Sequence, residues 1–483
     1  RMRSAAVVVV GDVGRSPRMV NHALSIANSL HYQVYLIGQV ESTINDTVTA
    51  HPNIKIVNIP SPPSLQLPEL FYLLFRFTWT ACILLFTLLF RIGLRLDFVL
   101  LQNPPALPAI VIAWMSSRIR GARMIVDWHN YTWTMLVDRW GVETASSIES
   151  LPPSLLKKDK RGPRKGKGRG KDKFVEWSCY LEGLFGRFAD CNLCVSSCMK
   201  ADLLSRWSIQ SSVLYDRPPS WKFPDVDLDR IHEVLWRLSR DEDELRGEEP
   251  SGEGWDEYTC KTIRQSGTVS MRNPRPLILI SSTSWTPDED FSILLDALIH
   301  YDQVARISRN STASSSIPHV VVIITGKGPE KEYYINKINR LRLPSVSFVT
   351  PWLESADYPV VVSSADIGVC LHTSTSGLDL PMKIVDMFAC GIPVLAKRFA
   401  AIGELVEEGK NGLLFDTPTE LGDELLRLST GHPAHNETLS SLRKGVELSR
   451  SSFSSWESIW EQCARRSFID QSDQVFQNII ASN

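Results

Sequence analysis

Lys383 and Asp386 stand three residues apart in the string TSGLDLPMKIVDMFACGIPV at residues 375–394, which reads as a loop, a helix and a Gly-x-Pro-Val entry into a strand. On one helical turn both side chains share a face, so the ammonium can donate to a diphosphate while the carboxylate accepts from a pair of ribose hydroxyls. Their neighbours are apolar, and charges held among apolar residues need a partner. A second string, GDVGRSPR at residues 11–18, follows an apolar run and precedes a helical pattern. Gly11 and Gly14 permit tight backbone geometry, a helix N-terminus favours anions, and Arg15 and Arg18 add cationic donors. A third, DWHNY at residues 127–131, closes the apolar run 124–126 and so lies at the carboxyl end of a strand, where Asp127, His129 and Asn130 could supply a base and hydrogen-bond donors. Cys191, Cys194 and Cys198 approach metal-ligand spacing. No second Cys/His pair follows at zinc-site distance, so they read as structural thiols and no metal is expected.

The elements that must position these residues follow from apolar runs separated by helix-length segments. Residues 5–10, 33–37, 54–59, 98–101 and 124–126 read as strands of one doubly wound α/β domain, continued by short strands at 191–195 and 213–215. The same pattern restarts with strands at 277–281, 320–325, 346–349, 367–371 and 393–396, helices at 288–301 and after 326–329. The expected domains are therefore residues 1–230, a linker or excursion at 231–275, a second Rossmann-like domain at 276–450, and a C-terminal helical segment at 451–483 packing back on the first domain. A basic stretch at about 143–173, rich in Lys, Gly and Pro, is too charged to bury anything and reads as a disordered insertion. Two open α/β units facing each other would place their strand carboxyl ends across one cleft.

Bulk composition sets the remaining bounds. The 483 residues include 52 basic and 54 acidic ones, a formal charge of -2, so no global field favours nucleic acid. Nine cysteines without recurrent spacing fit buried thiols in a reducing compartment. The chain opens on Arg1 and reaches its first strand by Ala5, so no signal peptide or anchor is expected within it. The longest uncharged stretch, residues 77–90, is short of the roughly 20 residues that span a bilayer, and reads as a core helix or one that dips into a membrane surface.

Seven strings together resemble the chitobiosyl-diphospho-dolichol β-mannosyltransferase family: GDVGRSPR at 11–18, QNPP at 102–105, DWHN at 127–130, LYDRP at 214–218, SSTSWT at 281–286 with DEDF at 288–291, ITGKGP at 324–329, and residues 376–393. They keep one order over nearly the whole chain. The resemblance implies a GT-B fold, GDP-mannose as donor and dolichol-diphosphate chitobiose as acceptor, with a β1,4 linkage made by inversion. It also implies work at the cytosolic face of the endoplasmic reticulum membrane; apart from the resemblance, no tightly bound cofactor and no essential divalent metal are expected. Association with other glycosyltransferases of the dolichol pathway is compatible with it. The competing expectations are another GT-B transferase of that pathway and a non-catalytic GT-B scaffold.

On that resemblance the residues divide as an inverting displacement requires, into a base for the acceptor hydroxyl and groups that stabilise the departing nucleotide. Lys383 is expected on the diphosphate and Asp386 on the ribose, with Asp379, Gly326, Lys327, Gly328, Ser282 and Thr283 lining the donor pocket. The turn at 281–287 lacks the Arg or Lys that many GT-B donor sites carry, so Arg15 or Arg18, with Gly11 and Gly14, is expected to complete the diphosphate or acceptor site. Asp12 is expected as the base, with His129 positioning donor or acceptor. The leucine- and aromatic-rich residues 70–96, flanked by Arg76, Arg91 and Arg95, are the expected membrane-docking element.

Overall fold

The apolar run at residues 5–10 is buried on two sides because alternate side chains of a strand point to opposite faces. Ala6 and Val8 enter one buried cluster, and Ala5, Val7 and Val9 another. The computed structural model describes residues 3–66, 68–93, 95–141, 169–219, 222–250, 254–286, 289–310, 317–452 and 455–469. The chain divides into two units, one comprising Arg1–Asp216, Thr375–Leu380 and Ser455–Asn483, the other Arg217–Ser374 and Pro381–Ser454.

In the first unit the order is β1 (Ser4–Asp12), α1 (Pro17–Ser29), β2 (Gln33–Gln39), α2 (Asp46–Thr49), β3 (Ile54–Asn58), α3 (Glu69–Phe86), β4 (Phe98–Asn103), α4 (Ala109–Arg120), β5 (Arg123–Trp128), α5 (Thr132–Trp140), α6 (Arg169–Arg187), β6 (Cys191–Cys194), α7 (Ser197–Trp207) and β7 (Ser212–Val213). The strands form one parallel sheet in the order β3-β2-β1-β4-β5-β6-β7. One face is covered by residues of α3, α4, α6 and α7, including Leu84, Ile110, Val175 and Met199. The other is covered by α1 and, from the far end of the chain, by Trp456, Trp460 and Phe468. The strand order reverses between β1 and β4, which places the carboxyl ends of β1, β4 and β5 at the sheet's topological switch point.

The second unit begins with α8 (Leu228–Leu238), α9 (Asp243–Arg246) and an antiparallel sheet of β8 (Glu257–Tyr258), β9 (Thr262–Gln265) and β10 (Thr268–Met271). These elements occupy the span expected as a linker at 231–275. Ile231, Val234 and Leu235 give α8 a buried face, and the β9–β10 turn uses Ser266 and Gly267 at φ 50° and 79°, the paired positive φ of a tight hairpin. There follow β11 (Leu277–Ser282), α10 (Ser292–Asn310), β12 (Val320–Thr325), α11 (Lys331–Ile338), β13 (Val346–Val349), α12 (Tyr358–Ser364), β14 (Ile367–Cys370), α13 (Met382–Ala389), β15 (Val394–Lys397), β16 (Gly412–Phe415), α14 (Pro418–Ser429) and α15 (Glu437–Ser452). Their sheet is parallel, in the order β13-β12-β11-β14-β15-β16. The short α16 (Trp456–Ile459) and α17 (Arg465–Phe468) return the chain to the first unit.

Two stretches differ from their sequence reading. Most of the basic stretch at 143–173 lies outside the described residues, but α6 starts at Arg169, so its last five positions are helical. The apolar helix is also longer than its uncharged core, because Arg76 interrupts the run without interrupting the helix. The helical span Phe71–Arg91 has 21 residues and is long and apolar enough, by length and composition, to cross a membrane. Leu84, Thr87 and Leu88 of that span are buried, whereas Phe71, Leu74, Phe86 and Phe90 are exposed.

Candidate active site

At the end of β5, Asp127 is fully buried and serves as a common acceptor. Arg18 of α1 donates through Nε to Oδ2 at 2.7 Å and through Nη2 to Oδ1 at 2.9 Å. His22, one turn further along α1, and His129 each bring Nε2 to Oδ2, at 3.1 and 2.9 Å. Burial alone would raise the Asp127 carboxyl, but the Arg18 guanidinium and the donated hydrogen bonds outweigh it and hold the group well below the usual carboxylate range. As an ionised carboxylate Asp127 only accepts, so His129 Nε2 carries a proton, and in the neutral ring Nδ1 is then the lone pair. The His129 side chain is 22 % exposed.

Arg18, expected to reach a diphosphate, is only 3 % exposed. Its Nη1 donates to Asp216 Oδ1 at 2.9 Å and to the Leu214 carbonyl at 2.8 Å, so four of its N–H groups are engaged inside the first unit. Its place is in the wall of the site. Arg15 is exposed and pairs with Asp12 at 3.4 Å. Gly11 lies within β1 and Gly14 in the short 3-10 turn that follows it.

Asp12, the expected base, commits both oxygens. Oδ2 accepts from Ser42 Oγ at 2.5 Å, and Oδ1 from the backbone N–H groups of Gly14, Glu41 and Ser42 at 3.2–3.3 Å. Burial works to raise its pKa, but these four donors prevail and lower it. Such a carboxylate is a poor proton acceptor and a good clamp between the β1 and β2 loops.

Two residues without a role in the sequence reading complete this group. Asn103, at the end of β4, donates from Nδ2 to the Asn130 carbonyl at 3.1 Å and to Glu182 Oε1 at 2.7 Å. Glu182 of α6 also accepts from the N–H of Thr132 at 3.0 Å and of Trp133 at 3.4 Å, which closes the first turn of α5 behind the DWHN string. Burial pushes the Glu182 carboxyl up to about 7 against the pull of those hydrogen bonds. Asn130 in turn donates to Thr375 Oγ1 at 3.1 Å and to Asp379 Oδ1 at 3.2 Å, so Asp379 is found beside the DWHN string.

In the second unit the structure brings most of the expected donor residues together. Gly326, at φ 127°, and Gly328 end β12 against the loop after β11: an added Cβ would meet the Thr283 carbonyl oxygen at 1.8 Å and that of Ser284 at 1.7 Å. Only glycine fits either position. Thr283 Oγ1 and the Ser284 N–H donate to Glu289 at 2.5 and 2.7 Å, and Glu289 forms a hydrogen-bonded ion pair with Lys383 of α13. One turn along α13, Asp386 faces Lys222 at 3.7 Å and hydrogen-bonds Tyr358, whose hydroxyl is 3.1 Å from Ser282 Oγ. Burial raises Asp386 above its ordinary value, with Lys222 and Tyr358 opposing. Lys327 lies apart from this chain of contacts, its Nζ 3.7 Å from the ring centroid of Trp352, which is 62 % exposed beyond β13. Glu289 and Trp352 were absent from the expected site. Glu289 belongs to the DEDF string, whose acidic residues gave no sign of which one turns inward. Among the described residues no cluster of His, Cys, Asp or Glu has the makings of a metal site.

Comparison with known proteins gives this arrangement a lineage. The profile described as "Glycosyl transferases group 1" matches residues 289–430. A "Chitobiosyldiphosphodolichol beta-mannosyltransferase" of Mus musculus is 38% identical over 95% of this chain and 88% of its own length. Its Homo sapiens counterpart is 37% identical over 95% and 91%. The chain belongs to this mannosyltransferase family. It is a glycosyltransferase. An Arabidopsis thaliana relative named "UDP-glycosyltransferase TURAN" is 39% identical over 95% of this chain and 96% of its own. Solved structures show the fold to be GT-B: Anabaena HepE with UDP and glucose (14% identity, TM-score 0.57, 96% and 98% covered) and sucrose-phosphate synthase of Thermosynechococcus elongatus (15%, 0.57, 100% of both).

Proposed function

We propose that the chain transfers mannose from GDP-mannose to dolichol-diphosphate chitobiose with inversion, forming the β1,4 linkage, and that His129 is the base. The observation that carries the base assignment is the orientation of His129 by Asp127, which leaves Nδ1 as an acceptor on a partly exposed ring. In this reading Nδ1 takes the proton of the acceptor hydroxyl as its oxygen attacks the anomeric carbon. The bond from that carbon to the GDP phosphate breaks, and the departing oxygens take their compensating charge from Lys383. Glu289 holds Lys383 in place, Asp386 receives the ribose hydroxyls, and the Gly326–Gly328 backbone passes close to the phosphates. Trp352 and Lys327 offer an aromatic plane and a cation to the nucleobase.

One relative's name specifies UDP, and nucleotide binding separates the two donors. GDP is expected to protect the full chain against thermal unfolding, UDP far less, and K383A to abolish the protection. Equal protection by UDP would shift the donor class. The acceptor's polyprenyl tail requires work at a bilayer, and the exposed Phe71, Leu74, Phe86 and Phe90 suit insertion among headgroups. We assign the docking surface to α3, on the cytosolic face of the endoplasmic reticulum membrane. Flotation with phosphatidylcholine liposomes is expected and should be lost in F86E/F90E, while binding that survives this pair would reject the assignment.

A further inference from the structure

Of the two histidines at Asp127, the proposed chemistry uses His129 and leaves His22 without a role. Its Nδ1 lies 3.0 Å from the indole Nε1 of Trp460, a residue 438 positions later in the chain. An indole nitrogen can only donate, so His22 Nδ1 accepts and its proton is on Nε2, aimed at Asp127 Oδ2. The C-terminal segment encloses the ring on its other sides. Trp456 meets it edge-on at 5.1 Å, Phe468 lies at 5.7 Å, and Phe468 also stacks on Trp460 at 5.2 Å. Among the described residues the charged and titratable groups around the cluster include Asp127, Arg18, His129, Asp216 and Cys194, and on the side of Phe468 Arg123, which donates to the Ser467 and Phe468 carbonyls, and Cys191.

We infer that Trp460 is a positioning residue of the transfer site: its indole N–H keeps His22 a neutral Nε2–H donor, so that the Asp127 carboxylate, already paired with Arg18, is not claimed by a charged His22 and stays available to orient His129. The physical reason is exclusion. A proton on His22 Nδ1 would point at another N–H, and a buried donor left facing a donor costs the desolvation of both. A charged His22 would put a second imidazolium against Oδ2 and disfavour a proton on His129. Burial acts in the same direction and holds His22 below its ordinary value. The inference rests on His129 as base.

The test uses the full chain labelled with 15N-histidine, and kcat/KM as a function of pH with GDP-mannose and a short-tailed lipid-diphosphate chitobiose. In the unsubstituted protein His22 is expected to show a bare Nδ1 and a protonated Nε2 throughout roughly pH 5.5–8. Trp460→Phe keeps the ring stack and removes the N–H. His22 then titrates within that range, kcat falls about tenfold, and the acidic limb of kcat/KM moves to lower pH by on the order of one unit. Phe468→Leu disturbs the same packing without touching the N–H bond, so it is expected to lower the melting temperature and leave the pH profile in place. A proton on His22 Nδ1 in the unsubstituted protein overturns the inference even if W460F fails to fold. An acidic limb lost in His129→Gln but unmoved in W460F overturns the positioning role alone. A limb that persists in H129Q removes the base assignment and this inference with it.

Discussion

Replacing Asp127 with Asn keeps the size of the side chain and removes the charge that four donors share. Oδ1 and Oδ2 accept from Arg18 twice, from His22 and from His129, and an amide must turn its NH2 toward at least one of them. Arg18 keeps Asp216, so the guanidinium is not left wholly unpaired. Breaking a buried pair by removing one partner costs about 3–5 kcal/mol, and the surviving Asp216 contact argues for the lower end, about 3 kcal/mol. For a domain of this size that is a fall of roughly 6–12 °C in melting temperature. Catalysis should suffer more than stability, because His129 loses the carboxylate that fixes its tautomer and stabilises its protonated form. A loss between about a hundredfold and ten-thousandfold in kcat is expected. The assay is kcat at neutral pH, well below the variant's melting temperature, beside a melting curve of the same sample. A D127N protein that melts with the parent, or that turns over within about threefold of it, would refute the reasoning.

Three further substitutions read other parts of the account. Lys383→Ala removes the cation on the leaving diphosphate and should lower kcat by about a hundredfold to a thousandfold, measured by steady-state turnover, while the melting temperature falls because buried Glu289 loses its ion-pair partner and keeps only Thr283 and Ser284. Gly326→Ala forces a Cβ onto the Thr283 carbonyl and a strained φ, so donor KM should rise steeply in saturation kinetics. Glu182 is raised from 4.5 to about 7 on folding, so the folded state binds the extra proton and stability falls as pH rises through that window, by at most about 3 kcal/mol. Urea midpoints between pH 4.5 and 7 should decline in the parent, and the slope should flatten in E182Q.

The strands were legible because both faces of each sheet are covered, which demands continuous apolar runs such as those at 5–10 and 320–325. The three short strands at 257–271 are small and partly exposed, so they leave no such run, and only Ser266 and Gly267 hint at the hairpin. At the site, Lys383 and Asp386 could be paired from spacing because one helical turn joins them. The partners that give the remaining residues their roles are remote: Trp460 for His22, Glu182 for Asn103, Glu289 for Lys383. Arg18 illustrates the limit most clearly. In a glycine-rich loop it reads as an anion donor, and only the fold reveals two carboxylates waiting for it inside the domain.

The most direct measurement is transfer from GDP-mannose to a short-tailed lipid-diphosphate chitobiose by the full chain, with the product digested by β-mannosidase. The expected product is a trisaccharide that β-mannosidase trims back to chitobiose and that H129Q fails to form. A product resistant to β-mannosidase but cut by α-mannosidase, or transfer from a UDP-sugar in place of GDP-mannose, would contradict the proposed reaction.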